Sequence, residues 1–253
     1  MNSSIARRIR TGIRDPVTIP RFIKGGRAGV LALYQERYAK ALGIDGSFPE
    51  YLHELSNDED FAAHLKDPAV EAGLRRGPGP IPLSFAEALY ALCRCTKPAV
   101  VVETGVGSGF SSAFILLALR KNGVGSLNSV DFPNASYRAD HREVEDTLGR
   151  NQTPGWFVPA ALRERWTLHL GTTQEVLEPL LSKLGNVDLF LRDSEHVYST
   201  MMFEFRAAWR RMSKGSLLLS DNVNVNTAWD DFCREVHPIR MARFFDVGAA
   251  VKD

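Results

Sequence analysis

From Pro98 onward, short continuous apolar runs alternate with amphipathic stretches. The runs are Ala99–Val102, Leu127–Val130, Trp166–Leu170, Val187–Leu191 and Ser216–Leu219. Between them lie helix-period segments at Ser111–Lys121, Ala139–Leu148, Gln174–Leu184, Ser199–Met212 and Thr227–Val236. A run that is apolar at every position marks a strand buried on both faces, and alternation with helices marks a parallel sheet covered on both sides. Arg240–Phe245 and Ala249–Lys252, around Asp246-Val247-Gly248, predict a closing strand pair. The expected fold is α/β: a doubly wound, mostly parallel, Rossmann-like sheet of seven strands with a helical N-terminal segment. Ligands of such sheets lie beyond the carboxyl ends of the strands.

The earlier part of the chain has a different rhythm. Helices are predicted at Gly29–Leu42 and Asp58–Leu65, separated by turn residues. The run Gly77-Pro78-Gly79-Pro80-Ile81-Pro82 breaks the chain and sets the expected boundary, with a helical cap segment over 1–80 and a ligand-binding domain over 81–253. A helix then spans Ser84–Cys95, with Ser84 expected as N-cap and Glu87 completing a capping box.

Composition adds few constraints. Hydrophobic residues make up 44% and charged residues 24%, and the net charge is +1. Nothing there favours nucleic acid. Residues 1–28, however, hold seven basic side chains (Arg7, Arg8, Arg10, Arg14, Arg21, Lys24, Arg27) against the single acid Asp15. Ile5, Ile9 and Ile13 recur beside these arginines. Two readings stay open: docking on the same domain or a second subunit in a homo-oligomer, or contact with an anionic membrane surface or an acidic partner. The three cysteines, Cys93, Cys95 and Cys233, form no disulfide framework or metal motif. No stretch approaches the length of a membrane span and no secretory signal is legible, so a cytoplasmic location is expected.

The first strand runs into Glu103-Thr104-Gly105-Val106-Gly107-Ser108-Gly109, then a helix whose Ser111 is expected, with the loop, at the bound cofactor. Glycines allow a tight turn and close approach of a ligand, and the helix start adds free N–H groups. Several cofactors use such loops. Glu103 narrows the choice, because a carboxylate facing the cleft would repel a pyrophosphate, whereas S-adenosylmethionine brings an ammonium and a sulfonium. The spacing also departs from G-x-G-x-x-G and lacks the Lys-Ser/Thr ending of a P-loop. Asp131 ends the second strand and is placed to accept ribose hydroxyls. The third strand ends in Gly171-Thr172-Thr173-Gln174, where Thr173 and Gln174 are expected at the adenine and Thr173 also as a helix N-cap.

These three segments resemble class I S-adenosylmethionine-dependent methyltransferases over about residues 84–252. Ala88-Leu89-Tyr90-Ala91-Leu92 and Lys97-Pro98 are similar to the group called methyltransferase domain 24. The resemblance implies that Gly105, Gly107, Ser108 and Gly109 hold the methionine part, Asp131 the ribose, and the Thr173-Gln174 segment the adenine.

The fourth strand ends in Arg192-Asp193-Ser194-Glu195-His196 and the fifth in Ser220-Asp221-Asn222. In a 3-2-1-4-5 sheet these strands are neighbours, so Asp193, Asp221 and Asn222 converge, with Asp193 also bordering the donor. Three oxygen ligands without cysteine suit a hard cation, Mg²⁺ first and Mn²⁺ or Ca²⁺ next. The set resembles the metal site of catechol O-methyltransferases and of metal-dependent sugar O-methyltransferases. The Asp193-x-x-His196 spacing is closer to the latter, and His196 departs from the lysine that serves as base in the catechol enzymes. His196 is the expected base, since neutral imidazole can take a hydroxyl proton. The leading expectation is a metal-dependent O-methyltransferase acting on a hydroxylated small molecule such as a sugar or glycosylated natural product. The alternatives are a metal-independent methyltransferase, a dinucleotide-dependent oxidoreductase and a non-catalytic donor-binding module. His169 reads as structural, Glu195 as solvent-facing, and Trp156, Phe157 and Trp229 as core before acceptor pocket.

Overall fold

The computed structural model describes residues 18–44, 46–74, 81–132 and 152–253. Residues 1–17 of the basic stretch, residues 77–80 of the Gly/Pro run and the expected helix Ala139–Leu148 lie outside the described residues. Four helices come first: α1 (Thr18–Ala41), α2 (Phe48–Ser56), α3 (Glu59–Leu65) and α4 (Pro68–Leu74). The sequence pattern missed α2 and α4, which are nine and seven residues long; α3, equally short, was legible from its Asp58 cap. In α3, Asp58 is the N-cap, accepting the Phe61 N–H at 3.0 Å.

The α/β part follows as α5 (Leu83–Thr96), β1 (Val100–Thr104), α6 (Phe110–Asn122), β2 (Ser126–Asp131), a 3-10 turn (Ala160–Arg165), β3 (Trp166–Leu170), α7 (Thr173–Leu184), β4 (Val187–Arg192), α8 (Tyr198–Arg210), β5 (Met212–Ser220), α9 (Ala228–Val236), β6 (Arg240–Phe244) and β7 (Val247–Val251). The seven strands are ordered β3-β2-β1-β4-β5-β7-β6. The first five are parallel, and β7 runs antiparallel to both β5 and β6. The fold expectation is met. Two expected caps are not. Helix α5 begins after Pro82 with no side-chain cap, which puts Ser84 inside the first turn, where its carbonyl accepts Gln35 Nε2 at 2.7 Å. Helix α7 is capped by Thr172, not Thr173, in a reciprocal capping box with Glu175.

Two apolar layers flank the sheet. One joins α1–α3, α5 and α6 to one face, through Tyr38, Phe48, Leu55, Phe61, Phe85 and Phe114. The other joins α7, α8 and α9 to the opposite face, through Leu181, Phe205, Trp229 and Phe232. The N-terminal helices thus share a core with the sheet. Among the described residues no helix is long and apolar enough to cross a membrane.

Candidate active site

The carboxyl ends of β3, β2, β1, β4 and β5 form one row. The first residue past a strand, or close to it, donates its N–H to a carbonyl at the end of the neighbouring strand. Gly171 binds Asp131 O at 3.0 Å, Gly105 binds Val130 O at 2.9 Å, Asp193 binds Thr104 O at 2.7 Å and Asp221 binds Arg192 O at 2.9 Å. This ladder lines Asp131, Gly105, Asp193 and Asp221 up along one edge, as the parallel order requires.

The glycine loop lies in the middle of that edge. Gly105, Gly107 and Gly109 all have positive φ (82°, 49° and 85°). At Gly105 a Cβ would stand 2.0 Å from Asp193 O, so the missing side chain lets the β4 turn close onto the loop. Asp131 Oδ2 accepts the Gly107 N–H at 3.0 Å and Oδ1 accepts the Phe132 N–H at 2.8 Å. Gly107 and Ser108 are part-exposed, and their carbonyls accept Gly155 N and Phe157 N at 3.0 and 2.9 Å. Phe157 and Trp229 are core residues, 0% and 2% exposed. His64, which carried no expectation, contacts Phe157 O at 2.8 Å.

Glu103 corrects the sequence reading. It does not face the cleft: it is 0% exposed. Its carboxylate accepts hydroxyls of Ser111 at 2.5 Å, Ser112 at 2.6 Å and Ser129 at 2.8 Å. Burial raises its pKa, and the three hydroxyls oppose that rise. Ser111, expected at the donor, is therefore part of a clamp that ties β1, the start of α6 and β2 together beneath the glycine loop. Ser112 and Ser129 carried no expectation of this contact: the pairing of β1 with β2 sets Ser129 opposite Glu103, and Ser112 comes from the first turn of α6. Gln174 is exposed, with Nε2 3.4 Å from Thr200 Oγ1. Thr173 is part-buried at the start of α7. His169 contacts Asn128 Oδ1 at 3.3 Å, a structural role. Glu195 is exposed, as expected, and accepts Thr200 Oγ1 at 2.9 Å.

Asp193, His196 and Asp221 come together, with one ligand atom of each within 4.8 Å of the others. Asn222, in a left-handed conformation at φ 53°, holds its amide nitrogen 3.0 Å from both Asp221 Oδ2 and His196 Nε2. A half-turn of that amide exchanges its oxygen for its nitrogen. Asp221 is 7% exposed. Burial, then the Asp246 carboxylate, raise its pKa to about 6. Asp193 is pushed well above the usual carboxylate range by burial and by Asp221. The sequence reading did not place Asp246 here. It sits in the β6–β7 turn, and its carbonyl accepts Val223 N at 2.8 Å. His196 is lowered to about 4 by burial and by the Arg192 guanidinium, so it is neutral at neutral pH.

A hard cation suits this set. Two crowded carboxylates gain from a positive charge between them, and a neutral imidazole beside them adds no repulsion. Ligand bonds of about 2.1–2.4 Å are compatible with donor atoms as far apart as these.

Residues 102–223 match the family described as a methyltransferase domain. No curated protein matches the chain. Among solved structures, the chain is similar to a methyltransferase of Podospora anserina bound to S-adenosylhomocysteine, with TM-score 0.53, 17% identity and coverage of 79% of this chain and 97% of that one. A second is the O-methyltransferase TomG of Streptomyces achromogenes, involved in tomaymycin synthesis and solved with S-adenosylmethionine (TM-score 0.51, 16% identity, coverage 78% and 96%). A third, from Klebsiella pneumoniae and described as an O-methyltransferase, gives TM-score 0.51, 19% identity and coverage of 78% and 97%. With the glycine loop, the acidic strand ends and the strand order, the family match identifies residues 102–223 as an S-adenosylmethionine-dependent methyltransferase domain on a class I fold.

Proposed function

We propose that the chain is an O-methyltransferase for a hydroxylated small molecule, a sugar or glycosylated natural product, and that Asp193, Asp221 and Asn222 hold a divalent cation, Mg²⁺ first. The observation that carries this reading is the cluster of Asp193, His196 and Asp221 on the strand-end row beside the glycine loop. In this reading Gly105, Gly107, Ser108 and Gly109 take the methionine part of the donor. The second lone pairs of the Asp131 oxygens take the ribose hydroxyls, and Thr173 and Gln174 border the adenine. Glu103 and Ser111 act from beneath, by fixing the loop.

A methyl group passes in line from the donor sulfonium to an acceptor oxygen. The carbon–sulfur bond breaks as the carbon–oxygen bond forms, and its electron pair stays on sulfur. The acceptor proton goes to His196, which is held neutral. An imidazole whose conjugate acid has a pKa near 4 is a weak base, so the reaction needs a more acidic hydroxyl. A bound cation supplies that acidity and fixes the hydroxyl's direction. Asp193 and Asp221 must lose their shared proton before they can hold it.

Chelator and substitution test the proposal together, with a panel of diols and catechols as acceptors. Turnover is expected to fall about 100-fold or more in EDTA and to return with Mg²⁺ or Mn²⁺. Asp193→Ala is expected to be inactive with or without metal. Full activity in chelator would remove the cation from the proposal and leave Asp193 and His196 binding the acceptor directly. His196→Ala is expected to lower kcat by roughly 10²–10⁴-fold with little change in S-adenosylhomocysteine affinity. An unchanged kcat excludes it as the base.

A further inference from the structure

The turn that carries Asp193 and His196 is held from behind by an ion pair. Arg192 ends β4 and lies between Thr104 of β1 and Ser220 of β5. Its Nε stands 3.2 Å from Glu204 Oε2 of α8, and both side chains are 0% exposed. Arg192 Nη2 donates to Ser194 O at 3.0 Å and to Glu195 O. Glu204 accepts the Ser194 hydroxyl at 2.7 and 2.8 Å and the Thr104 hydroxyl at 3.2 Å. With Asp193 N on Thr104 O, three successive residues of the turn are therefore fixed.

A buried ion pair is a poor source of stability, because desolvation takes back most of what attraction gives, and apolar replacements of similar size often fold as well. Most of its polar contacts here converge on one loop, at Ser194 and Glu195; the remainder are the Thr104 and Thr173 hydroxyls on Glu204. Elsewhere that loop is bonded from Asn222 Nδ2 to the His196 ring and from Asn226 Nδ2 to His196 O at 3.0 Å, on the β5–α9 side, and from Thr200 Oγ1 of α8 to the Glu195 carboxylate at 2.9 Å. Loss of the pair would leave the Ser194 and Glu195 backbone of the turn without these tethers, held only through the Asp193 N–H, the Glu195 side chain and the β5–α9 side.

We propose that Arg192 and Glu204 are positioning residues: they fix the Asp193–His196 turn so that its carboxylate and imidazole meet Asp221. This rests on the reading of Asp193, His196 and Asp221 as the reacting site. Neither residue touches the reacting atoms, and neither is among the groups that resemblance to other methyltransferases brought forward.

The test replaces the pair by apolar side chains, Arg192→Met with Glu204→Leu. It reads Tm, S-adenosylhomocysteine affinity, Mn²⁺ affinity and kcat on the best acceptor of the panel. The expected result is a cooperative melt within about 5 °C of wild type and an unchanged S-adenosylhomocysteine affinity. Mn²⁺ affinity and kcat should each fall about 10–100-fold, the scale seen when the groups that orient a metal's ligands are removed. Wild-type Mn²⁺ affinity and kcat in the double variant would overturn the proposal. If the double variant does not fold, Ser194→Ala decides. It removes one tether and leaves the charges paired; about 3–10-fold lower kcat at unchanged Tm supports positioning, and unchanged kcat overturns it. Wild type, Asp193→Ala and His196→Ala are measured alongside. If those two variants turn over normally and wild type binds no Mn²⁺, the reacting site has been misread and the proposal falls with it, whatever the double variant does.

Discussion

Asp221 is buried beside Asp193 and within the field of Asp246, and its pKa rises from 3.8 to about 6. An acid that holds its proton more tightly when folded favours the folded state below its unfolded pKa, and that advantage is lost as pH rises through the folded value. At pH 8 the metal-free chain therefore carries the full repulsion. Asp221→Asn removes it. We expect the variant to be more stable than wild type at pH 8 by roughly 1–3 kcal/mol, with the gap closing between pH 6 and pH 4, while methyl transfer is lost. Thermal melts of both proteins at several pH values in EDTA check this. His196, lowered to about 4, titrates in the opposite sense over the same range, so only the difference between variant and wild type isolates Asp221. An equal Tm gap at pH 5 and pH 8 would contradict the assignment. Asp193, His196 and Asp221 were legible in the sequence because each follows an apolar run that ends in a polar turn. Asp246 was not. Its place follows from the antiparallel pairing of β7 with β5, which sets Gly248 opposite Ser220, and no local pattern announces that register. Glu103 was read with the right charge and the wrong surroundings, since its three hydroxyl partners come from two other elements.

At the scale of elements, the β1–α6 loop and the β4–α8 turn are built as a pair, and Gly105 is where they touch. Its φ of 82° and the Asp193 carbonyl 2.0 Å from a Cβ position impose two separate costs on any side chain. Gly123, the C-cap of α6, separates them, because its φ is 72° and nothing lies within 4 Å of its Cβ position. Gly123→Ala should cost about 1 kcal/mol from conformation alone and leave activity intact. Gly105→Ala should cost at least about 2 kcal/mol more than that. It should also weaken donor and Mn²⁺ binding together, because the only relief is movement of Asp193 away from the loop. Urea unfolding and the two affinities check the contrast, and equal effects at the two positions would contradict it. The same scale shows what the sequence could reveal about elements. The strands and long helices were legible from period and length, and the strand order followed from the rule for parallel sheets. The two helix starts were misassigned where several polar residues adjoin. Thr172 and Thr173 both offer a hydroxyl, but only Thr172 has Glu175 at the third position, and Ser84 has its Glu87 yet follows Pro82, where the helix has already begun.

At the scale of the whole molecule, the Gly/Pro run suggested a boundary near residue 80, yet the apolar layer crosses it. Tyr38 packs on Phe244 with ring centroids 5.8 Å apart, and Phe61 meets Phe114 edge-on at 4.9 Å. Glu54 bonds the Tyr90 hydroxyl and two nitrogens of Arg94, the latter at 2.9 Å, while Asp58 pairs with Lys121 at 2.8 Å. The partners on the later side, Phe85, Tyr90 and Phe114, are 0% exposed. A fragment comprising 81–253 would bare them and several neighbours at once. Exposing one such side chain costs about 1.5–3 kcal/mol, so four or five are comparable to the whole stability of an ordinary domain, about 5–15 kcal/mol. We therefore expect fragment 81–253 to lack a cooperative melt and to bind no S-adenosylhomocysteine, although every residue proposed to touch the donor is present in it. A fragment that melts within about 5 °C of the full chain would show that the first helices are an appendage. The expected failure would make them part of the scaffold under the glycine loop, coupled to it through Phe61 of α3 against Phe114 of α6 and through the contact of His64 with Phe157 O, two residues from the backbone bond of Gly155 to Gly107.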